Sequence, residues 1–193
     1  MSGGHRFYLA AFLIALALSP PTGSRTLAQT GAQTGGQPAA RAVPVDLALV
    51  LAVDVSGSVD EEEAALQRKG YVDAIVDPQI VKAVTSGILG RIAVAYFEWA
   101  GENWQVPVVD WSVIDGPAAA AGFAAKLSAA PIGTGPWTSI SQAVDFSVAL
   151  HALNPFEATR KVIDISGDGP NNSGGAVVAS RDRAVAKQIT ING

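Results

Sequence analysis

The sequence predicts an α/β fold: a doubly wound, mostly parallel sheet with helices on both faces and one antiparallel strand at its edge. Three observations carry this expectation. Short apolar runs alternate with helix-period segments from residue 45 onward, the pattern of strands joined by crossover helices. The run Val45 to Val53 is continuously apolar and rich in Val and Leu, as befits a central strand buried on both faces. Pro107 interrupts the strand-like segment Trp104 to Ile114, and a proline is tolerated in a sheet chiefly at its edge.

The first element falls outside the fold. Arg6 precedes an apolar run, Phe7 to Leu18, that is too short to span a bilayer comfortably and reads as a secretory signal peptide. Thr26 and Ala28 supply small residues for cleavage after Ala28, so residues 1–28 are expected to leave a mature chain with no membrane span. Residues 29–44, built from Gln, Thr, Gly, Ala and Pro without apolar periodicity, read as a flexible linker. The domain proper is expected over residues 45–193.

Within it, the strand at Val45–Val53 stops at Asp54. Ala65, Leu66, Val72, Ile75 and Val76 then recur at helical spacing behind Glu61, Glu62 and Glu63, whose charges suit the first turn of a helix. Pro78 should end that helix. A second strand is expected from Arg91 to Trp99, where Ile92, Val94, Tyr96 and Glu98 alternate in a way that suggests partial exposure. Trp104 to Ile114 should pair antiparallel beside it. The Ala-rich stretch 118–130 reads as a helix, Pro131 to Trp137 as a Gly- and Pro-built loop, and Ile140, Ala143, Val144, Ser147, Val148 and His151 share one face of a further helix. Thr138 or Ser139 is placed to cap it. Lys161 to Ser166 is a short strand, residues 176–187 resume helical character, and Ile189 to Ile191 opens another strand. With no helix after that strand one sheet face is left uncovered, which predicts a domain whose C-terminal part lies beyond residue 193.

Composition narrows the function classes. The 193 residues are 49% hydrophobic and 16% charged, enough for one sizeable core. Without cysteine there is no disulfide and no thiolate metal site. Loss of Arg6 and Arg25 with residues 1–28 would leave 11 of the 13 Lys and Arg against 17 Asp and Glu, a net charge of about −6. Such an acidic surface argues against nucleic acid or anionic lipid as the main partner. His151 alone cannot build a His-rich zinc site.

Three junctions that lead into helices carry oxygen side chains. Asp54-Val55-Ser56-Gly57-Ser58 follows the strongest strand directly, at the carboxyl end of the sheet where doubly wound folds bind ligands. An ionised Asp there is costly unless paired or bound to a cation. Local explanations compete: Ser58 to Glu61 has the form of a capping box, and Ser56-Gly57 of a simple turn. Asp168 follows the strand ending at Ser166, and Thr138 opens a helix. Oxygen donors without sulfur or imidazole select Mg²⁺, Ca²⁺ or Mn²⁺, and Mg²⁺ would keep waters and so leave a coordination position open.

Asp54, Ser56 and Ser58 resemble the Asp-x-Ser-x-Ser motif of von Willebrand factor A domains, and Thr138 with Asp168 looks like that family's threonine and second aspartate. The resemblance covers residues 45–193 and more narrowly a bacterial secreted family of unknown function within the superfamily. It implies a Rossmann-like fold and a metal-ion-dependent adhesion site. Ser56, Ser58 and Thr138 would present hydroxyls to one divalent cation, Asp54 and Asp168 would act directly or through water, and a partner's Glu or Asp would take the open position. Ser166-Gly167-Asp168-Gly169 departs from the usual Thr-Asp-Gly, and the Gly133 to Trp137 loop is unusual, so Thr134 stays open as an alternative to Thr138. The implied function is a secreted, periplasmic binding module with no reaction of its own.

An enzyme alternative is a haloacid-dehalogenase-like phosphatase with Asp54 as nucleophile, since Gly167 to Asn171 also suits that class. That chemistry needs a general acid two residues on, where this chain has Ser56. A P-loop fails because Trp137 stands where the lysine should be, and no Gly-x-Ser-x-Gly elbow is present. The tryptophans read as core or edge packing, with Trp137 set apart by its place beside the proposed site.

Overall fold

The computed structural model describes residues 42–57 and 59–193. The expected signal peptide, all but the last three residues of the expected linker, and Ser58 lie outside the described residues. Five strands form one sheet in the order β3-β2-β1-β4-β5. They are β1 (Pro44–Asp54), β2 (Ile92–Trp99), β3 (Gln105–Ile114), β4 (Glu157–Ser166) and β5 (Ile189–Asn192). Strand β1 runs parallel to both β2 and β4, β4 runs parallel to β5, and β3 alone is antiparallel, paired with β2 at the edge. Pro107 lies in that edge strand, where the register with β2 shifts, so its missing N–H interrupts no interior ladder.

Strand β1 is apolar without alternation because both of its faces are covered. Leu47, Leu49, Leu51 and Val53 enter one core with Val94, Tyr96, Phe123 and Leu127. That core lies beneath α1 (Glu61–Val76), α2 (Pro78–Thr85) and α3 (Pro117–Ala129). Val50 and Ala52 enter the other with Phe97, Trp99, Val144, Val148 and Ile163, beneath α4 (Ile140–Ala152) and α5 (Val177–Ala186). The predicted doubly wound α/β architecture is therefore what forms.

Several local expectations are corrected. Pro78 does end α1, but it also opens α2 as its first residue, with the Asp77 side chain accepting from Gln79 N–H at 2.7 Å; a proline suits a first helical position as well as it terminates a preceding one. Strand β2 is buried along its whole length, not partly exposed, because Glu98 pairs with Arg68 inside the core and the Tyr96 ring packs edge-on against Tyr71 and beneath the Arg68 guanidinium. The cap of α1 is Asp60, which exchanges bonds with Glu63 at 2.8 and 3.2 Å, two residues later than the capping box expected at Ser58. Leu66 and Val76 face water, and the inward positions of α1 are Ala64 and Arg68, with Tyr71, Val72 and Ile75 packed against the core.

Arg68 explains both surprises. Its guanidinium is 5% exposed and forms a short ion pair with the equally buried Glu98 of β2. It also donates to the carbonyls of Leu127 at 3.1 Å, Ala130 at 2.8 Å and Pro131 at 3.3 Å, and it lies 5.9 Å from the Tyr96 ring centre. The last carbonyls of a helix have no partner within it, so one cation closes the end of α3 and offsets its negative pole. It thereby anchors the start of the loop that follows.

His151 is the other buried polar group of consequence. Its Nε2 lies 3.2 Å from the Val162 carbonyl oxygen, its ring sits 5.5 Å from that of Trp111, and Nδ1 has no partner. Burial pushes its pKa down to about 4, because a second N–H would have no acceptor. Asp164 in β4 behaves oppositely, raised by burial to about 6.

Two predictions follow from these buried groups. Arg68→Ala should destabilise the domain by about 3–5 kcal/mol in urea unfolding, since it strands Glu98 and three carbonyls, whereas a double replacement by Met and Leu at 68 and 98 should recover much of the loss. For pH, the depressed His151 pKa means that its contribution is full above pH 6.5 and is lost as pH falls toward 4, by up to about 3 kcal/mol. The raised Asp164 pKa acts in the other direction, restoring stability as pH falls from 6 toward 3.8. Asp164→Asn should therefore make unfolding free energy fall more steeply with acidification than in the wild type; an unchanged slope would contradict this balance.

Candidate functional site

Strand order fixes where a ligand can sit. The chain leaves β1 toward β2 on one side and reaches β4 on the other, so the loops after β1 and β4 part and leave a crevice at the carboxyl end of the sheet. Asp54 is the last residue of β1 and Asp168 follows β4 by two residues. Both thus arrive at the same rim.

Asp54 is 1% exposed. Its Oδ1 accepts from the Ser56 N–H at 2.7 Å, but its Oδ2 is buried with no hydrogen-bond partner. Burial pushes the carboxyl above the ordinary carboxylate range; the Ser56 amide and hydroxyl and, more weakly, the Asp168 backbone N–H pull it back, while the like charge of Asp168 raises it further. The loop that carries Asp168 passes directly over this carboxylate: a Cβ on Gly167 would lie 3.2 Å from Asp54 Oδ2 and 3.3 Å from the Trp99 ring, so a bare backbone lies there without crowding.

The third loop comes from the other side. Gly135 N–H donates to the Val55 carbonyl at 3.1 Å, and Ser56 pairs with Gly135 as an isolated bridge. This stitches the Pro131–Trp137 loop to the Asp54 turn. Thr138, at the end of that loop, is buried. The N-cap of α4 is Ser139 and not Thr138, and even Ser139 makes no side-chain cap bond, so capping does not account for Thr138. Thr134, by contrast, is exposed. Asp54, Ser56, Thr138 and Asp168 are therefore brought to one rim, and Ser58 lies outside the described residues.

Two residues escaped the sequence reading of this site. Asn172 Oδ1 accepts from Thr138 N–H at 2.8 Å, and Asn172 N–H donates back to the Thr138 carbonyl at 2.9 Å. Asn171 Oδ1 accepts from Ser141 N–H at 3.1 Å, which caps α4 from a different loop. Together they tie the segment after Asp168 to Thr138. Gly174, at φ +78°, lets that segment lie close: a Cβ there would meet Ser139 Oγ at 2.5 Å. Only the Asn-Asn pair itself hinted at this in sequence, and side-chain amides that mimic a cap are common to any loop.

Trp137 stands beside Thr138 with φ +63° and 67% of its surface exposed. A left-handed backbone costs a bulky residue on the order of 1–2 kcal/mol, and here the flanking bonds impose it. Gly101 N–H donates to the Pro136 carbonyl at 2.9 Å and Ser139 N–H to the Ala100 carbonyl at 2.8 Å. The other tryptophans behave as packing residues, Trp99 fully buried and Trp104 against Gly133 and Gly135.

Among the described residues no three His, Cys, Asp or Glu side chains gather as a metal-binding group. The rim offers two carboxylates and hydroxyls, a donor set that suits hard divalent cations best. An unpaired, desolvated Asp54 oxygen is the kind of atom such a cation would satisfy, so the residues fit a divalent ion.

Solved structures share this fold at low identity. Proximal thread matrix protein 1 from the mussel byssus, determined with a zinc-occupied MIDAS motif, is 17% identical with a TM-score of 0.57, over 78% of this chain and 38% of that one. An aerotolerance-related membrane protein from Bacteroides fragilis is 19% identical with a TM-score of 0.51, over 76% of this chain and 65% of that one. The chain thus spans well under half of the byssus protein and about two thirds of the second. These likenesses show the fold, a von Willebrand factor A-type sheet. No curated protein matches the sequence significantly. Residues 44–193 match the model of the family described as protein of unknown function DUF1194, and the chain belongs to that family.

Proposed function

We propose that this chain is a secreted, metal-dependent binding module of the adhesion type, which holds one divalent cation and captures an Asp or Glu side chain of a partner protein. The observation that carries the reading is the buried, unpartnered Oδ2 of Asp54, beside a second acid and under a glycine turn. Asp54, Ser56, Ser58, Thr138 and Asp168 would hold the ion, Mg²⁺ by preference and Mn²⁺ or Ca²⁺ as alternatives. When bound, the cation would supply positive charge and an open coordination position to a partner's carboxylate.

The chain's own residues prepare that contact. Asp54 is held by the Ser56 amide, so one carboxylate oxygen is fixed while the other stays available. Asp168 is exposed at the rim and brings the second negative charge. Thr138 is positioned from both sides of its backbone by Asn172. With only two carboxylates near, a dication there would remain attractive to a third, from outside. No group near Asp54 is arranged as a general acid two residues on, where Ser56 stands, so binding without catalysis is the reading we adopt. Export through residues 1–28 would place the module in the bacterial periplasm or beyond. No helix among the described residues is long and apolar enough to cross a membrane.

Titration calorimetry with Mg²⁺ and Mn²⁺ tests the site. Wild type should bind and Asp54→Ala should not; equal heats from both would remove the cation from this rim. In the same titrations Thr138→Ala should weaken binding while Thr134→Ala should not. Asn172→Ala, which removes only the group that orients Thr138, should lower affinity by roughly 10- to 100-fold, the usual effect of losing an orienting partner, with an unchanged circular dichroism spectrum.

A further inference from the structure

Trp137 is the only aromatic side chain among the described residues that lies mostly in water, and it is adjacent in sequence to Thr138. Its backbone is left-handed, a conformation that glycine adopts freely and a large side chain does not. Exposed apolar surface and strain at one position both run against stability. The surroundings nevertheless hold it there: Pro136, Thr138 and Ser139 are each tied by a backbone bond to a neighbouring loop. Gly101 adds a steric requirement, since a Cβ there would come within 2.5 Å of the Pro136 carbonyl oxygen and 3.0 Å of Trp137 Cβ. Strain imposed by several independent contacts at the edge of a site is the form that functional strain takes.

We infer that Trp137 is the apolar half of a two-part recognition surface, so that the partner segment presents an acidic residue with an apolar or aromatic side chain next to it. This rests on the cation reading above, because the acidic residue is what the metal would hold. Charge supplies the argument for a second contact. The chain carries 17 acidic against 13 basic residues, so an acidic partner gains nothing from long-range attraction and must be retained by contacts at the rim. A rigid, amphipathic indole is well suited to that, since tryptophan is among the side chains enriched in the few residues that dominate an interface. A glycine at 137 would leave the cation donors intact and remove this contact.

The test uses the full chain with Mn²⁺ and three blocked tetrapeptides: Gly-Gly-Glu-Gly, Gly-Phe-Glu-Gly and Gly-Glu-Phe-Gly. At least one phenylalanine peptide should bind the Mn²⁺-loaded wild type roughly tenfold more tightly than the glycine peptide. Trp137→Gly should abolish that preference, keep the wild-type Mn²⁺ affinity, and melt no lower than the wild type because the left-handed backbone is relieved. Equal binding of the three peptides, no binding of any, or a preference that survives in Trp137→Gly overturns the inference while leaving the cation site standing. Failure of the wild type to bind Mn²⁺ overturns the metal reading and this inference with it.

Discussion

A carboxylate at the closed end of a central strand is the constraint around which the upper rim of this domain is organised. Strand β1 is flanked by β2 and β4 and covered on both faces, so its last residue, Asp54, emerges into protein and not into water. Leaving an ionised group there without compensation is expensive. The compensation within the chain is partial: one oxygen receives the Ser56 amide, the Asp168 backbone N–H adds a small favourable pull, the other oxygen completes no hydrogen bond, and the like charge of Asp168 works against ionisation. A site that only had to be stable would place an amide or an apolar residue at this position.

The rest of the rim is built so that three loops can approach that carboxylate. Each approach depends on a missing side chain or a bond across a long sequence separation. Gly167 passes over Asp54, Gly135 pairs with the Asp54 turn, and Gly174 lets the last loop rest on the start of α4. Asn171 and Asn172 then join the loop after β4 to the loop before α4. Further back, Arg68 gathers the end of α3 and Glu98 into one buried group, which sets where the Pro131–Trp137 loop begins. The chain of support thus runs from a helix-end cation, through a clamped loop, to Thr138.

Buried polarity is distributed unevenly between the two faces of the sheet. On the α1 and α3 side, the terminal nitrogens of Arg68 reach three carbonyls as well as Glu98, and the guanidinium lies over a tyrosine ring. On the α4 side, His151 is kept neutral against Val162 and Trp111. Packing and capping account for the placement of these groups, although Arg68 Nε and His151 Nδ1 make no hydrogen bond. Asp54 and Trp137 are different in kind, since one is a charge without a counter-charge and the other a strained, hydrated indole. Their adjacency at one rim is what makes a binding surface the economical explanation.

Much of the architecture was legible in residue order. An unbroken apolar run marks β1 because a strand covered on both faces has no reason to alternate, Pro107 marks the edge, and the face of α4 reads directly from its spacing. Asp54 and Asp168 could be assigned to one rim because both follow strands whose direction the crossovers dictate. Other features were decided only in three dimensions. The burial of β2, the inward turn of Arg68, the capping of α4 by Asn171 and the grip of Asn172 on Thr138 all depend on partners far along the chain. Local composition specifies which backbone a segment prefers, but a buried charge or an amide acquires its meaning only from the group that folding brings against it.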